Sequence, residues 1–379
     1  MARTADFLII GGGIAGASAG FELSRHGSVI ILERENQPGY HTTGRSAALY
    51  VASYGNATIR AITKASKPFF LDPPEGFTTA PILAPRGALM AATEDQVDAL
   101  KGLYEATSAI DPSIRLVDQD ELLRLCPVLN PERMVMGQYE PENMDIDVHA
   151  LLTGYLAGMR NRGGEVVSDA EVMSLTHTHD SWTVSTRAGE FSAPVVVNAA
   201  GAWADEVAGL AGANPIGLVP KRRTAFTFDG PADVDLAQLP AVISADESWY
   251  FKPEAGRLLG SPADETPSPP CDAQPEELDI AIAVDRIQTH TVMEIKRLES
   301  KWAGLRSFVA DKSTVAGFAP EAPGFFWVAG QGGYGIQTSE GMGRITASLA
   351  TGNGIPDDIA ALGVTERDLA PDRDGLVPG

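Results

Sequence analysis

Positive charge, cysteine and long apolar runs are all scarce in this sequence, and each shortage removes a class of function. Lys and Arg total 29 against 50 Asp and Glu, a formal net charge of −21. A surface of that sign repels polyphosphate backbones and anionic lipid, so nucleic acid is excluded as a partner. The 2 cysteines, Cys126 and Cys271, stand far apart and outside any C-x-x-C or Cys/His ligand spacing, which suits a reducing compartment and free thiols. His177 and His179 alternate on one face of an expected strand but have no third ligand, so no metal is expected. No stretch reaches the ~20 apolar residues of a spanning helix, which leaves at most a peripheral membrane association. Residues 7–21 imitate a secretory signal, yet Gly11, Gly12, Gly13, Gly16 and Gly20 would spoil an apolar helix there. The expected location is the cytoplasm.

At 379 residues and 44% hydrophobic composition, the chain exceeds the roughly 250 to 300 residues at which single cores stop growing, so two domains are expected. Residues 6–10 read as a buried parallel strand, 14–26 as a helix ending at Gly27, and 28–32 as a second strand, which makes a βαβ unit. Asp147 is suited to cap a helix over Leu151, Leu152, Tyr155, Leu156 and Met159 that stops at Gly163-Gly164. Strands are predicted over Glu165–Val167, 182–186, Val195–Asn198 and Phe325–Ala329, the last leading through a glycine-rich turn into a helix over 336–349. Nucleotide-domain signals thus fall in 1–86, 146–205 and 306–365. The β-rich and Pro-rich pieces 87–145 and 206–305 are expected to form the second domain. Residues 261–277 and the tail 366–379 read as loop or mobile lid rather than core.

Gly11-Gly12-Gly13-Ile14-Ala15-Gly16 is G-x-G-x-x-G set between strand and helix, with Glu33 at the end of the next strand. Gly11 permits the tight turn, Gly13 lets the backbone approach a pyrophosphate, and Gly16 lets helix and strand pack closely. The helix N-terminus meets the phosphate charge. Glu33 suits the ribose hydroxyls and disfavours a 2′-phosphate, hence NADP; the motif alone leaves NAD and FAD both open.

The segment Tyr40-His41-Thr42-Thr43-Gly44-Arg45-Ser46-Ala47-Ala48 resembles the second flavin-contacting segment of the D-amino-acid oxidase and sarcosine oxidase (DAO) superfamily. Asn198-Ala199-Ala200-Gly201-Ala202-Trp203 and Gly332-Gly333-Tyr334-Gly335-Ile336-Gln337 resemble its remaining flavin signatures, so the resemblance covers nearly the whole chain. Pro220-Lys221-Arg222-Arg223 and the run from Trp302 to Asp311 are similar to its bacterial D-arginine dehydrogenase branch. The resemblance implies an α/β (α+β two-domain) fold, with a Rossmann-like FAD-binding domain and a mixed or antiparallel β-sheet substrate domain. It implies noncovalent FAD, since no cysteine stands in 304–320, and hydride transfer from substrate Cα to flavin N5. Beside the loop glycines, the implied flavin contacts are Ala15, Glu33, Arg34, Thr42, Thr43, Gly44, Arg45, Ser46, Ala47, Val172, Ala200, Gly201, Gly304, Gly332, Gly333, Tyr334, Gly335, Ile336 and Gln337. A helix start at the Gly335 turn would bring backbone N–H groups to flavin N1 and O2, where the reduced ring is negative.

A buried amino-acid carboxylate needs a cation with directional donors, and Arg offers a bidentate fork. The resemblance makes Arg223 and Arg306 that clamp, although Lys221-Arg222-Arg223 read alone would be a solvated face. It makes Tyr54 and Tyr250 hydrogen-bonding partners of the substrate and sets Gly333 at the reacting atoms. Tyr54 is expected to ride on a mobile loop of small residues, Ala52, Ser53, Gly55 and Asn56. No base stands nearby, and none is needed if the amine binds neutral and its lone pair drives loss of hydride. The branch's glutamate for a cationic side chain corresponds to Ala88 and a histidine to Leu49; with Tyr50, Ala241 and Ile243 these define a pocket expected to be apolar. Losing that carboxylate costs D-Arg or D-Lys about 3 to 5 kcal/mol in a dry site, so apolar or bulky D-amino acids are favoured, unless Glu171, Glu247 or Asp246 supplies the charge. The leading reading is a D-amino-acid dehydrogenase that forms an imino acid, then a 2-oxo acid by hydrolysis, and passes electrons to a quinone or another carrier. The rival reading is an oxidase or dehydrogenase of an N-alkyl amino acid or secondary amine, in the oxidase case using O2 with Lys252 or Lys221 near the flavin. A third is a catalytically silent FAD subunit of a multisubunit dehydrogenase, against which the arginine pair stands.

Overall fold

Alternation along the strands decides the first layer. Phe7–Ile10, Val29–Leu32, Val195–Asn198 and Phe325–Ala329 pair in parallel, with Glu165–Val167 parallel at one edge and Val315–Phe318 antiparallel at the other. Successive side chains leave a strand on opposite faces. Ile9, Ile31, Val197 and Phe326 therefore enter one core with the helices Ile14–Leu23, Val148–Asn161 and Ser339–Ala350. Leu8, Ile30, Val196 and Phe325 enter another, against Trp182, Val184 and Phe191 of the sheet built from Arg3–Thr4, Val172–Thr178, Ser181–Thr186 and Gly189–Ala193. Asp147 starts its helix by accepting from the Ala150 N–H at 2.8 Å. This computed structural model describes residues 2–376, so the last part of the 366–379 segment lies outside the described residues.

A second, 9-stranded mixed sheet contains Val219–Phe228, Leu298–Phe308, Arg257–Ser261, Tyr250–Glu254, Ala241–Ser244, Ala88–Ala92 and Met136–Glu140. Its pleat sorts chemistry by parity. Leu89, Val242, Phe251, Phe226 and Leu258 pack on one face beneath Ile280, Ala283 and Ile287 of the helix Glu277–His290. The register sends Arg223, Gly304, Arg306, Tyr250, Lys252, Ile243, Ala241, Ala88 and Glu140 to the other face. That polar face turns toward the glycine-rich loops of the first sheet.

Several expectations shift. The first helix stops at Leu23, and the helix expected over 336–349 begins at Ser339 after a series of turns. His179 sits at φ 52 beyond the strand end Thr178, so it does not share a strand face with His177. The stretch after Val364 is not simply a loop: Thr365 and Asp368 cap the short helix Glu366–Leu369 reciprocally, and Leu369 is fully buried. Arg373 then pairs with Asp311 at 2.7 Å, so apolar anchors and one ion pair dock a segment whose composition reads as a tail. Residues 261–277 hold only the two-residue strand Thr266–Pro267 before the helix at Glu277 and run as a strap across the second sheet. Among the described residues no helix is long and apolar enough to cross a membrane.

Candidate active site

The phosphate loop is built by close approach. Gly11 has φ +105, and a Cβ there would stand 2.4 Å from the Ala199 carbonyl oxygen. A Cβ on Gly16 would stand 1.9 Å from the Gly11 oxygen, so helix and loop meet only as glycines. Gly13, at the N-cap of Ile14–Leu23, offers no side-chain acceptor; Thr43 compensates by accepting from Ile14 N–H at 3.0 Å. The Glu33 carboxylate accepts from the Gly12 and Glu35 N–H groups at 2.8 and 2.9 Å. Burial nonetheless pushes its carboxyl above the ordinary range.

Two adjoining cavities follow. The first, about 190 Å³, is lined by Gly11, Gly13, Glu33, Arg34, Thr42, Thr43, Val172, Ala200 and Gly201. Arg34 lies over the Trp203 ring at 4.7 Å, and His41 packs on the same ring. The second, about 140 Å³, shares Gly13, Thr42, Thr43 and Gly201 with the first. It continues past Ala15, Arg45, Ser46, Ala47, Gly304, Gly332, Gly333, Gly335 and Ile336 to Arg223, Tyr250 and Arg306. The cleft is thus one elongated trough running from the Glu33 carboxylate to the arginine pair.

The remaining expected residues sit behind its walls. Gly16 lies under the loop, and Gly44 closes a turn through its N–H to Gly39 O at 2.8 Å. The Tyr334 ring packs at a tilt against Tyr54, and Gln337 holds Val51 and Thr63. Tyr50 is 1% exposed and packs in the first core instead of lining a cavity. Leu49, Ala88, Ala241 and Ile243 line neither cavity, though the last three share the sheet face with Tyr250. Glu171 pairs with Arg34 and Arg187, Asp246 caps its own turn at Ser248, and neither lines the second cavity. Lys252 is held between Asp145 and Glu254, and Lys221 by Glu265.

The arginines are not equivalent. Arg306 makes no hydrogen bond or ion pair among the described residues, while the Nε and Nη2 edge of Arg223 is taken by the Asp264 carbonyl at 2.8 Å and by Glu265 at 3.2 Å. Arg222, one residue earlier and on the other face, pairs with Asp279 and Glu276. A Cβ on Gly333 would lie 3.2 Å from Arg306 Nη1 and from the Tyr54 hydroxyl, so glycine is what lets these groups converge. Burial and the facing Arg306 lower the Arg223 guanidinium from its ordinary range. For Arg306 burial acts the same way but is outweighed by Tyr54, Tyr250 and Glu265, and its shift is upward. Two guanidinium groups and the Lys221 ammonium against the Glu265 carboxylate leave this end of the trough electropositive, ready for an anion.

Two buried polar atoms on the trough walls, His41 Nδ1 and Gln331 Nε2, have no protein partner among the described residues. With the backbone N–H groups of the helix start and the glycine walls, they fit a long ligand that both accepts and donates along its length, as a flavin dinucleotide does. Gln331 Nε2 donates, while His41, whose Nε2 donates to Glu35, offers Nδ1 as an acceptor. Neither side chain is among the flavin contacts that the resemblance implies, although His41 lies in the segment 40–48 and Gln331 stands between Gly330 and Gly332.

This combination of a parallel sheet, a phosphate loop and a trough over a second sheet defines a dinucleotide-binding flavin fold. The family described as DAO, FAD dependent oxidoreductase, matches residues 6–349. The chain belongs to that family and is an FAD-dependent oxidoreductase. Glycine oxidase of Geobacillus kaustophilus (strain HTA426) is 24% identical over 375 residues, covering 96% of this chain and 98% of the relative. Human mitochondrial dimethylglycine dehydrogenase is 27% identical over 68% of this chain, which spans only 30% of that longer protein. The crystal structure of glycine oxidase from Geobacillus kaustophilus has a TM-score of 0.81 at 24% identity, over 92% of this chain and 95% of that one. An L-alpha-glycerophosphate oxidase from Mycoplasma pneumoniae with FAD bound gives 0.82 at 19%, over 92% and 95%. At these identities the structural likeness is one of fold.

Proposed function

We propose that this enzyme oxidises the Cα–N bond of an amino acid with a free carboxylate to the imino acid, with apolar D-amino acids preferred. The observation that carries the reading is the unpartnered Arg306 guanidinium at the end of the FAD trough, beside Gly333 and the Tyr54 hydroxyl. Bound FAD supplies the two-electron acceptor for such an oxidation. Arg306 holds the substrate carboxylate through its open fork, and Arg223 adds its remaining Nη1 donor. Neither the Tyr54 nor the Tyr250 hydroxyl has a protein hydrogen-bond partner among the described residues, so both are available to orient carboxylate and amine. Among the described residues no Asp, Glu or His lines this second cavity, so the chain holds no strong base there. The amine must arrive neutral or give its proton to water, and positioning is the chain's main contribution. Pieces 87–145 and 206–305 serve as the substrate domain in this reading.

A second reading has one observation in its favour. Relatives named glycine oxidase and dimethylglycine dehydrogenase point to small or N-alkylated amino acids, which the alanines at 88 and 241 would not obstruct. D configuration and an apolar preference rest on the motif resemblance and on Ala88. Anaerobic bleaching of the oxidised flavin band near ~450 nm separates the readings, because it reports the cofactor redox state directly. Bleaching by apolar D-amino acids supports the first. Bleaching by N-methyl amino acids alone favours the second, and bleaching only by amines without a carboxylate removes Arg306 from its assigned role.

A further inference from the structure

Glu140 is 7% exposed, yet among the described residues no Lys, Arg or His stands within ion-pair distance of it. It accepts instead from the Ser53 hydroxyl at 2.8 Å, from Gln138 Nε2 at 2.9 Å and from Asn143 Nδ2 at 3.3 Å. Burying a carboxylate on neutral donors is expensive, and a neutral acceptor would satisfy the same groups more cheaply. What the carboxylate adds is strength, because a charge-assisted hydrogen bond is about twice as strong as a neutral one.

The recipient of that strength is the segment 51–56. Its two ends are tied to the flavin side: Val51 N–H donates to Gln337 at 3.1 Å, and Asn56 Nδ2 donates to the Ser313 hydroxyl at 2.7 Å. Its middle reaches the other way, since Ser53 meets Glu140 on Met136–Glu140, a strand of the substrate sheet. The next residue is Tyr54, whose hydroxyl stands beside Arg306 and whose ring packs on Tyr334 at 4.9 Å. Gly55, at φ +87, supplies a left-handed turn directly after it. One side-chain bond thus fixes the middle of the segment to the sheet that carries Arg223 and Arg306.

We propose that Ser53 and Glu140 form a latch: a pair of positioning residues that sets the Tyr54 hydroxyl against Arg306 and holds the segment across the substrate end of the trough. This inference rests on the reading of that end as the amino-acid site, but the latch itself is a statement about the segment. With the bond intact Tyr54 is presented to the substrate. With it broken the segment turns about Gly55 and the end tie at Val51, and substrate is held without Tyr54.

The test uses the FAD-loaded full chain and the variants Ser53→Ala, Glu140→Ala, Glu140→Gln and Ser53→Ala/Glu140→Ala. Hydrogen exchange of the peptide covering 51–56, without substrate, is expected to quicken in Ser53→Ala and Glu140→Ala. It is expected to fall between these and the parent in Glu140→Gln, which keeps an acceptor and loses the charge. With an amino acid that bleaches the flavin, the apparent Kd is expected to rise about tenfold in either single variant, the equivalent of 1.4 kcal/mol. The rate at saturation is expected to stay within about twofold, and the double variant to lose no more than a single one, as coupled partners do. Unchanged exchange in Ser53→Ala, or additive losses in the double variant, overturns the latch. Should Glu140→Ala fail to fold, Ser53→Ala still decides. If no amino acid bleaches the flavin while exchange quickens as stated, the substrate reading fails and the latch stands.

Discussion

Each member of the arginine pair has its own prospects as an anion site, and the difference lies in partners rather than in residue type. Among the described residues Arg306 has no hydrogen-bond or ion-pair partner, whereas Arg223 spends its Nε and Nη2 on Asp264 and Glu265. Arg306→Met is therefore expected to raise the apparent Kd for a carboxylate substrate by roughly 10- to 100-fold, the loss of one charge-assisted contact of about 1.5 to 3 kcal/mol. Arg223→Met is expected to cost less in binding and to free the strap at Glu265. Anaerobic titration of the flavin absorbance measures both, and equal losses would show that Glu265 leaves Arg223 on substrate arrival. Position 88 makes a sharper case. Ala88 stands directly opposite Glu140 in the register, so Ala88→Glu would set two buried carboxylates side by side. That substitution is expected to destabilise the fold by about 1 to 3 kcal/mol, with much of the loss recovered when Glu140→Gln is added. A urea midpoint unchanged by Ala88→Glu would mean that the new side chain points into open space.

The helix Ser339–Ala350 carries a pH response of its own. Glu340 lies in its first turn, 7% exposed, and burial pushes its carboxyl from 4.5 to about 7. Arg344 does not reverse this: its guanidinium makes paired contacts with Asp358 at 2.9 Å, and its Nε approaches Glu340 without hydrogen-bond alignment. The unfolded chain releases the Glu340 proton near 4.5 and the folded chain near 7. Stability from this group is therefore complete at low pH, falls as pH rises through that window, and levels off above it, a change on the order of 3 kcal/mol. Glu340→Gln is expected to flatten that slope in urea unfolding between pH 5 and 8; an identical slope in the variant would sink the assignment. None of this is visible in the sequence, where the i,i+4 spacing of Glu340 and Arg344 carries no sign of burial. Legibility follows the same physics elsewhere. Strands buried on both faces, such as Val195–Asn198 and Phe325–Ala329, announce themselves as apolar runs with sharp ends. The start of Ser339–Ala350 did not, because turns from Gly332 to Thr338 carry residues that a helix also accepts. The glycines of the phosphate loop were legible as a motif because close approach permits no other residue at Gly11 and Gly16. The partners that distinguish Arg223 from Arg306 lie 41 and 42 positions away in the chain, and only the strap brings them together.

At the scale of the molecule, the trough is a seam between two sheets, and few direct bonds close it beneath the cofactor. Thr42 Oγ1 donates to the Leu305 carbonyl at 2.8 Å, Arg45 Nη1 to Ala303 O at 2.9 Å, and Trp302 Nε1 to Arg45 O at 3.0 Å. Arg45 also donates to Ala273 O at 3.0 Å and pairs with Asp272 at 2.5 Å, so one side chain ties the segment 40–46 both to a strand of the second sheet and to the strap 261–277. A dinucleotide lying along the trough touches both sides and adds to these ties, and by mass action FAD at 100 times its Kd adds about 2.7 kcal/mol to apparent stability. Arg45→Ala removes three of these hydrogen bonds at once while removing no member of the hydrophobic cores. It is expected to quicken limited proteolysis within the strap and to weaken FAD by about tenfold or more, one or two lost hydrogen bonds to buried carbonyls. Excess FAD is expected to restore the parent's proteolysis pattern, because a ligand that spans the seam replaces part of what Arg45 contributed. If the strap is cut at the parent's rate in Arg45→Ala without FAD, the Arg45 side chain does not hold the strap and is no more than a wall of the trough.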